Sequence, residues 1–136
     1  MQSAASLFVG LFVVVAGAEQ AGLDREFFAL LEPIGVHTVP GLATMSTVLS
    51  NLISNVPAVM LFAPIVPSLP HPELAWLTLA MSSTLAGNLT LLGSIANLIV
   101  LEGARRRHVS IGFLDYLAVG VPVTLVTLVF GVWWIY

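Results

Sequence analysis

Cysteine is absent from this chain, which excludes disulfides and thiolate metal sites. Charge is nearly absent as well: four basic and seven acidic side chains make up 8% of 136 residues, for a net charge of -3. So small a basic complement excludes a nucleic-acid partner. The gaps in charge are placed tellingly. No Asp, Glu, Lys or Arg occurs from Pro33 to Pro72, nor again from Leu74 to Leu101. What fills the space is apolar, since 58% of residues are hydrophobic and the mean hydropathy is +1.03. This is the composition of an all-α integral membrane protein, with room for about three or four membrane elements at about 20 apolar residues per span. His37, His71 and His108 lie far apart near predicted ends, and no nucleophile–base pattern or phosphate loop is present. Neither a metal centre nor an enzyme is expected.

Along this single membrane domain, 1–136, residues 3–22 form a first apolar span. Ala16-Gly17-Ala18 resembles a signal-peptide cleavage site, but no basic region precedes Leu7, and a span is preferred. Residues 23–36 place Leu23, Phe27, Leu30, Leu31 and Ile34 on one face, as in a helix lying in the membrane interface. Residues 40–67 are too long for one span and are punctuated by prolines. Gly41 to Leu49 and Val56 to Pro67 would reach roughly 13 and 18 Å, about half of a hydrocarbon core, which suits a re-entrant hairpin with its tip at Ser50 to Asn55. Residues 74–105 form a span broken at Gly87 to Ser94, and 110–136 a last span loosened near Gly120 and Pro122. Arg105, Arg106 and Arg107 mark a cytoplasmic loop, while Trp76, Trp133, Trp134 and Tyr136 mark the opposite interface. The C-terminus is therefore expected outside.

The two breaks hold the chemistry. The first is Ser50-Asn51-Leu52-Ile53-Ser54-Asn55-Val56-Pro57; the second is Gly87-Asn88-Leu89-Thr90-Leu91-Leu92-Gly93-Ser94, followed by Asn97. Lipid tolerates an interrupted helix only where protein or a watery cavity satisfies the freed backbone. Hydroxyls, carboxamides and freed carbonyls are neutral oxygen ligands suited to Na⁺ or an oxyanion. Helices starting near Val56 and Ser94 would favour an anion, and carbonyls freed near Ala86 a cation. The same residues also serve as hydrogen-bond glue between membrane helices, and Ser82, Ala86 and Thr90 at four-residue spacing fit that role. Glu102 and Asp115 sit near helix ends, as interfacial anchors do.

At these residues the chain resembles the ion transporter superfamily, which includes citrate transporters, arsenite permeases, NhaD-type antiporters and divalent anion/sodium symporters. Ser54-Asn55-Val56 is similar to the Ser-Asn-Thr signature of a hairpin tip, with Val56 in place of Thr. Gly87 to Asn97 is similar to the broken helix that follows, without the paired prolines of dicarboxylate members, and so looks closer to the arsenite-permease and NhaD branch. The resemblance implies two spans, one re-entrant hairpin and one broken helix, equivalent to one repeat of an inverted-repeat transporter. It implies secondary transport of an anion, or of Na⁺ and H⁺, in the cell membrane, with no cofactor beyond a coupling Na⁺ or H⁺. The contacts would come from Ser50, Asn51, Ser54, Asn55, Val56, Gly87, Asn88, Thr90, Gly93, Ser94 and Asn97, with Na⁺ at Ser54, Asn55 and Asn97. Its partners would be lipid, a small ion, a missing N-terminal half and a second copy. Sodium/dicarboxylate symport is the runner-up within transporters. A truncated non-transporting fragment, or a subunit needing a separate N-terminal half, is the alternative.

Overall fold

The computed structural model describes residues 32–136 continuously, together with 6, 9, 10, 12–14, 16, 17, 20–22, 26 and 29. The span expected at 3–22 and the first part of the stretch 23–36 are described only at those scattered positions, and the rest of both lies outside the described residues. Among the described residues all regular structure is helical. A short 3₁₀ turn, Glu32–Ile34, leads to α1, Val39–Ile53, and α2, Asn55–Phe62, follows after a single residue. A second 3₁₀ turn, Val66–Ser68, precedes α3, Pro72–Ala86. The turn Leu91–Gly93 separates α3 from α4, Ile95–Arg106, and α5 is Phe113–Ile135.

Local chemistry sets these limits. Thr38 caps α1 by accepting the Gly41 N–H at 3.2 Å, and Pro40 sits in the first turn, where its missing N–H would have no helical partner. Ser94 caps α4, its hydroxyl accepting the Ala96 N–H at 3.2 Å. Asp115 accepts the Gly112 N–H at 3.0 Å and so opens α5. Glu102 pairs with Arg106 at 3.2 Å along the exposed side of α4. Both carboxylates are thus engaged at helix ends.

α1 packs most extensively on α3. Their direction follows from two contacts. Leu42, early in α1, shares an apolar cluster with Ala75 and Leu79, early in α3, and Asn51, late in α1, bonds to Ala86, the last residue of α3. The two helices therefore run side by side in the same sense. Phe62, Val66 and Val36 complete that cluster, which joins the start of α1 to the end of α2. Beyond it the α1–α3 seam is built from Ser46, Ser50, Thr78, Ser82 and Ala86, all buried. Small residues of this kind let two helices approach closely without an apolar core between them.

Only α5 is long and apolar enough to cross a membrane among the described residues. Its 23 residues extend about 34 Å, against about 30 Å of hydrocarbon. It runs as one helix through both Gly120 and Pro122. α4 buries no residue, and Ile95 is 78% exposed. Between α1 and α5 lies an apolar groove of about 670 Å³, lined in part by Pro40, Val48, Leu128 and Trp133. With Val126, Val129, Phe130, Trp133 and Trp134 all exposed along α5, this face suits lipid or further protein better than water.

Candidate functional site

The chain leaves α1 through Ser54, whose φ of 83° and ψ of 157° lie in a region essentially reserved for glycine. Ser54 serves both neighbours by its backbone: its N–H donates to the Ser50 carbonyl at 2.9 Å, and its carbonyl accepts from Ala58 at 3.2 Å. Its side chain does not cap α2. The corner is therefore a backbone device bearing strain. Ser54→Gly is expected to leave the thermal midpoint of the purified protein level or raise it slightly, because relief of strain offsets the added chain entropy of glycine. Ser54→Val should lower stability by about 1–3 kcal/mol, since a β-branched residue is poorly accommodated at positive φ. Equal midpoints for the two variants would show that the corner is unstrained.

With Ser54 not capping, the N–H groups of Asn55 and Val56 at the head of α2 have no side-chain acceptor, and Pro57 has no N–H to offer. Two oxygens next to this corner are buried without a hydrogen-bond partner among the described residues: Asn55 Oδ1 and Ser50 Oγ, the latter on a residue only 1% exposed. An unpartnered buried oxygen costs about 1–3 kcal/mol, so such groups are rarely left without a purpose. Val56 is exposed, and no hydrogen bond joins Ser54, Asn55 or Val56 to the second break.

The second break is knitted to itself and to α1. Asn51 donates from Nδ2 to the Ala86 carbonyl, and its Oδ1 accepts the Thr90 hydroxyl at 2.6 Å. From the other side, Asn97 Nδ2 donates to the Gly87 carbonyl at 2.8 Å and to the Thr90 carbonyl at 3.3 Å. Gly93 permits this closure: a Cβ there would stand 3.0 Å from Asn51 Nδ2 and 3.1 Å from the Gly87 oxygen. Gly87 packs beside Ser94 in the same knot, while the Asn88 side chain is exposed. Of the residues expected at the site, the structure thus gathers Asn51, Gly87, Thr90, Gly93, Ser94 and Asn97 around the second break. Ser50, Ser54, Asn55 and Val56 form the adjoining corner.

One expectation changes. Carbonyls freed at the end of α3 were expected to suit a cation, but those of Ala86, Gly87 and Thr90 all receive amide protons from Asn51 or Asn97. Each of these carbonyls thus already has at least one of its two lone pairs engaged. Likewise Ser82 spends its hydroxyl on the Thr78 carbonyl of its own helix at 2.6 Å, as packing residues do. Two contributors escaped the sequence reading. Gly120 lies against the break, where a Cβ would meet the carbonyl oxygens of Asn88 at 2.6 Å and Leu89 at 3.0 Å. Thr124, one turn on, is fully buried with an unpartnered Oγ1. The signal available was small residues recurring on one face of α5 at Gly120, Thr124 and Gly131.

Most of the proteins to which this chain is similar are named as transporters. A family model described as Citrate transporter matches residues 6–86. The chain is 40% identical over 133 residues to a transporter named arsB of Dictyostelium discoideum, covering 92% of this chain and 23% of that protein. It is 39% identical over 140 residues to the silicon efflux transporter LSI3 of Oryza sativa subsp. japonica, covering 92% of this chain and 28% of the relative. An uncharacterized transporter of Mycobacterium tuberculosis is 35% identical over 133 residues, with 90% of this chain and 31% of the relative covered. The chain therefore spans between 23% and 31% of the length of these relatives. No solved structure matches it.

Proposed function

We propose, from the premise that this chain belongs to the citrate transporter family, that it holds one half of the ion pathway of a secondary membrane transporter. The observation behind this is the pairing of two polar helix breaks at one level, with Asn55 Oδ1 and Ser50 Oγ buried and unpartnered beside them. Residues 40–67 act as a re-entrant hairpin, an assignment supported by the cluster that returns Phe62 to the neighbourhood of Leu42. Residues 74–105 act as a broken span, with Arg105 to Arg107 at the cytoplasmic end and the C-terminus of α5 outside. A second, inverted set of elements in the longer protein completes the pathway, and two such proteins pair.

The chemistry of the breaks favours a small hydroxylated oxyacid, of the kind formed by silicon or by arsenic in its lower, arsenite oxidation state, over citrate. Such acids are neutral at physiological pH and are recognised by hydroxyl, carboxamide and backbone N–H groups. Citrate carries three carboxylates and calls for cationic partners, yet no Arg or Lys occurs between Pro33 and Leu101. The test is flux through the full-length transporter in proteoliposomes, with silicic acid, arsenite and citrate each offered under a Na⁺ or a pH gradient. Gradient-driven flux of silicic acid or arsenite without citrate flux is the expected outcome. Saturable citrate flux alone would overturn the substrate assignment, and no flux of any of the three would overturn transport.

A further inference from the structure

We infer that Asn51 and Thr90 are positioning residues, a brace that fixes the α1–α2 corner against the α3–α4 break rather than a pair of ligands; this rests on the transport reading above. Both ends of the Asn51 carboxamide are occupied, Nδ2 by the Ala86 carbonyl and Oδ1 by the Thr90 hydroxyl at 2.6 Å. The hydroxyl proton of Thr90 is spent in that bond, and its carbonyl is held by Asn97 at 3.3 Å and by the Gly93 N–H at 3.0 Å. Thr90 is thus gripped at side chain and backbone together. Gly93 is the notch that admits the Asn51 amide, as a Cβ there would press on Asn51 Nδ2 at 3.0 Å.

The choice of asparagine follows from its chemistry. One planar group presents a donor and an acceptor side by side, so it can pin a carbonyl and a hydroxyl at once. Aspartate would still accept from Thr90 but would turn an anionic oxygen toward the Ala86 carbonyl. The contrast with Asn55 is direct, since its Oδ1 is buried and has no partner. The two asparagines of the first break therefore divide the work: Asn55 offers an oxygen to the pathway, and Asn51 holds the corner where that oxygen is useful.

The experiment uses the full-length transporter carrying Asn51→Leu, Asn51→Asp, Thr90→Val, Thr90→Ser and the double variant Asn51→Leu/Thr90→Val. Flux of silicic acid and arsenite is read in proteoliposomes as maximal rate and half-saturating concentration. Thermal midpoints are read in detergent. Asn51→Leu and Thr90→Val should each lower maximal flux by about tenfold, the size typical when groups that orient ligands are lost. The double variant should be no worse than either single one, in flux and in midpoint, because one unit is broken once. Thr90→Ser, which keeps the hydroxyl, should recover most of the flux lost in Thr90→Val. Asn51→Asp should fail like Asn51→Leu. Additive losses, a Thr90→Ser variant as impaired as Thr90→Val, or an Asn51→Asp variant that transports with a shifted half-saturating concentration would overturn the brace. Coupled midpoints need no transport, so their presence with no flux in the unaltered protein would uphold the brace and strike the transport reading instead.

Discussion

In the full-length transporter, Asn55→Ala is expected to lower flux by about a hundredfold or more while the protein inserts and melts as before. Losing a group that merely orients a ligand costs about 10–100-fold, so losing the ligand oxygen itself should reach at least the upper end. Stability should behave in the opposite sense. Asn55 Oδ1 is buried without a partner, and deleting an unsatisfied polar group removes a desolvation penalty rather than a bond. The thermal midpoint should therefore hold or rise, more clearly in Asn55→Leu, which keeps the volume. This separation of activity from stability identifies a functional oxygen. A variant that lost flux and stability in parallel would place Asn55 among the packing residues, and unchanged flux would remove it from the pathway.

The second large effect is expected at Gly120. Adding a Cβ there brings carbon within 2.6 Å of the Asn88 carbonyl oxygen and 3.0 Å of that of Leu89. These two obstacles are backbone in the middle of a helix break and cannot swing aside, and the Tyr116 ring stands 3.0 Å away as a third. Gly120→Val should cost about 3 kcal/mol or more, at the upper end of overpacking penalties, and prise α5 from the break it supports. Gly131 offers a contrast on the same face, because its obstacle is the flexible Met81 side chain. Gly103, in the exposed run of α4 with open space around it, is the control. Gly103→Ala should stabilise by about 0.5–1 kcal/mol through helix propensity alone. Thermal midpoints of the purified variants decide the matter, and a Gly120→Val midpoint equal to that of the unaltered protein would refute the close approach.

Much of the break structure could be read from the residues because helix ends are local events. Gly87 and Asn88 follow an apolar run, and Ser94 stands where a cap is needed, so the sequence places the interruption at Gly87 to Ser94. α3 ends at Ala86, and α4 begins at Ile95. The first break is narrower than its polar run: the hairpin tip is expected at Ser50 to Asn55, whereas Ser50 and Asn51 keep helical backbone, α1 continues to Ile53 and Ser54 alone interrupts it. Gly120 was harder. Beside Pro122 it looks like a loosened point in a span, whereas α5 continues unbroken and the glycine serves a neighbouring chain segment. What a glycine makes room for is not written next to it.

Membrane residence, helical class and the two polar stretches were determined by the sequence itself, because composition and short-range pattern suffice for them, while the transporter family rests on likeness to known proteins. Which asparagine is hydrogen-bonded across to α3 and which keeps an unpartnered oxygen was decided only by the tertiary structure. Asn51 and Asn55 sit four positions apart with the same side chain and similar neighbours. They differ in what reaches them: Asn51 is met by Ala86 and Thr90, 35 and 39 positions along the chain, and no donor among the described residues bonds to Asn55 Oδ1. A hydrogen bond is satisfied or left open by the approach of distant segments, and that approach exists only once α1 and α3 lie side by side.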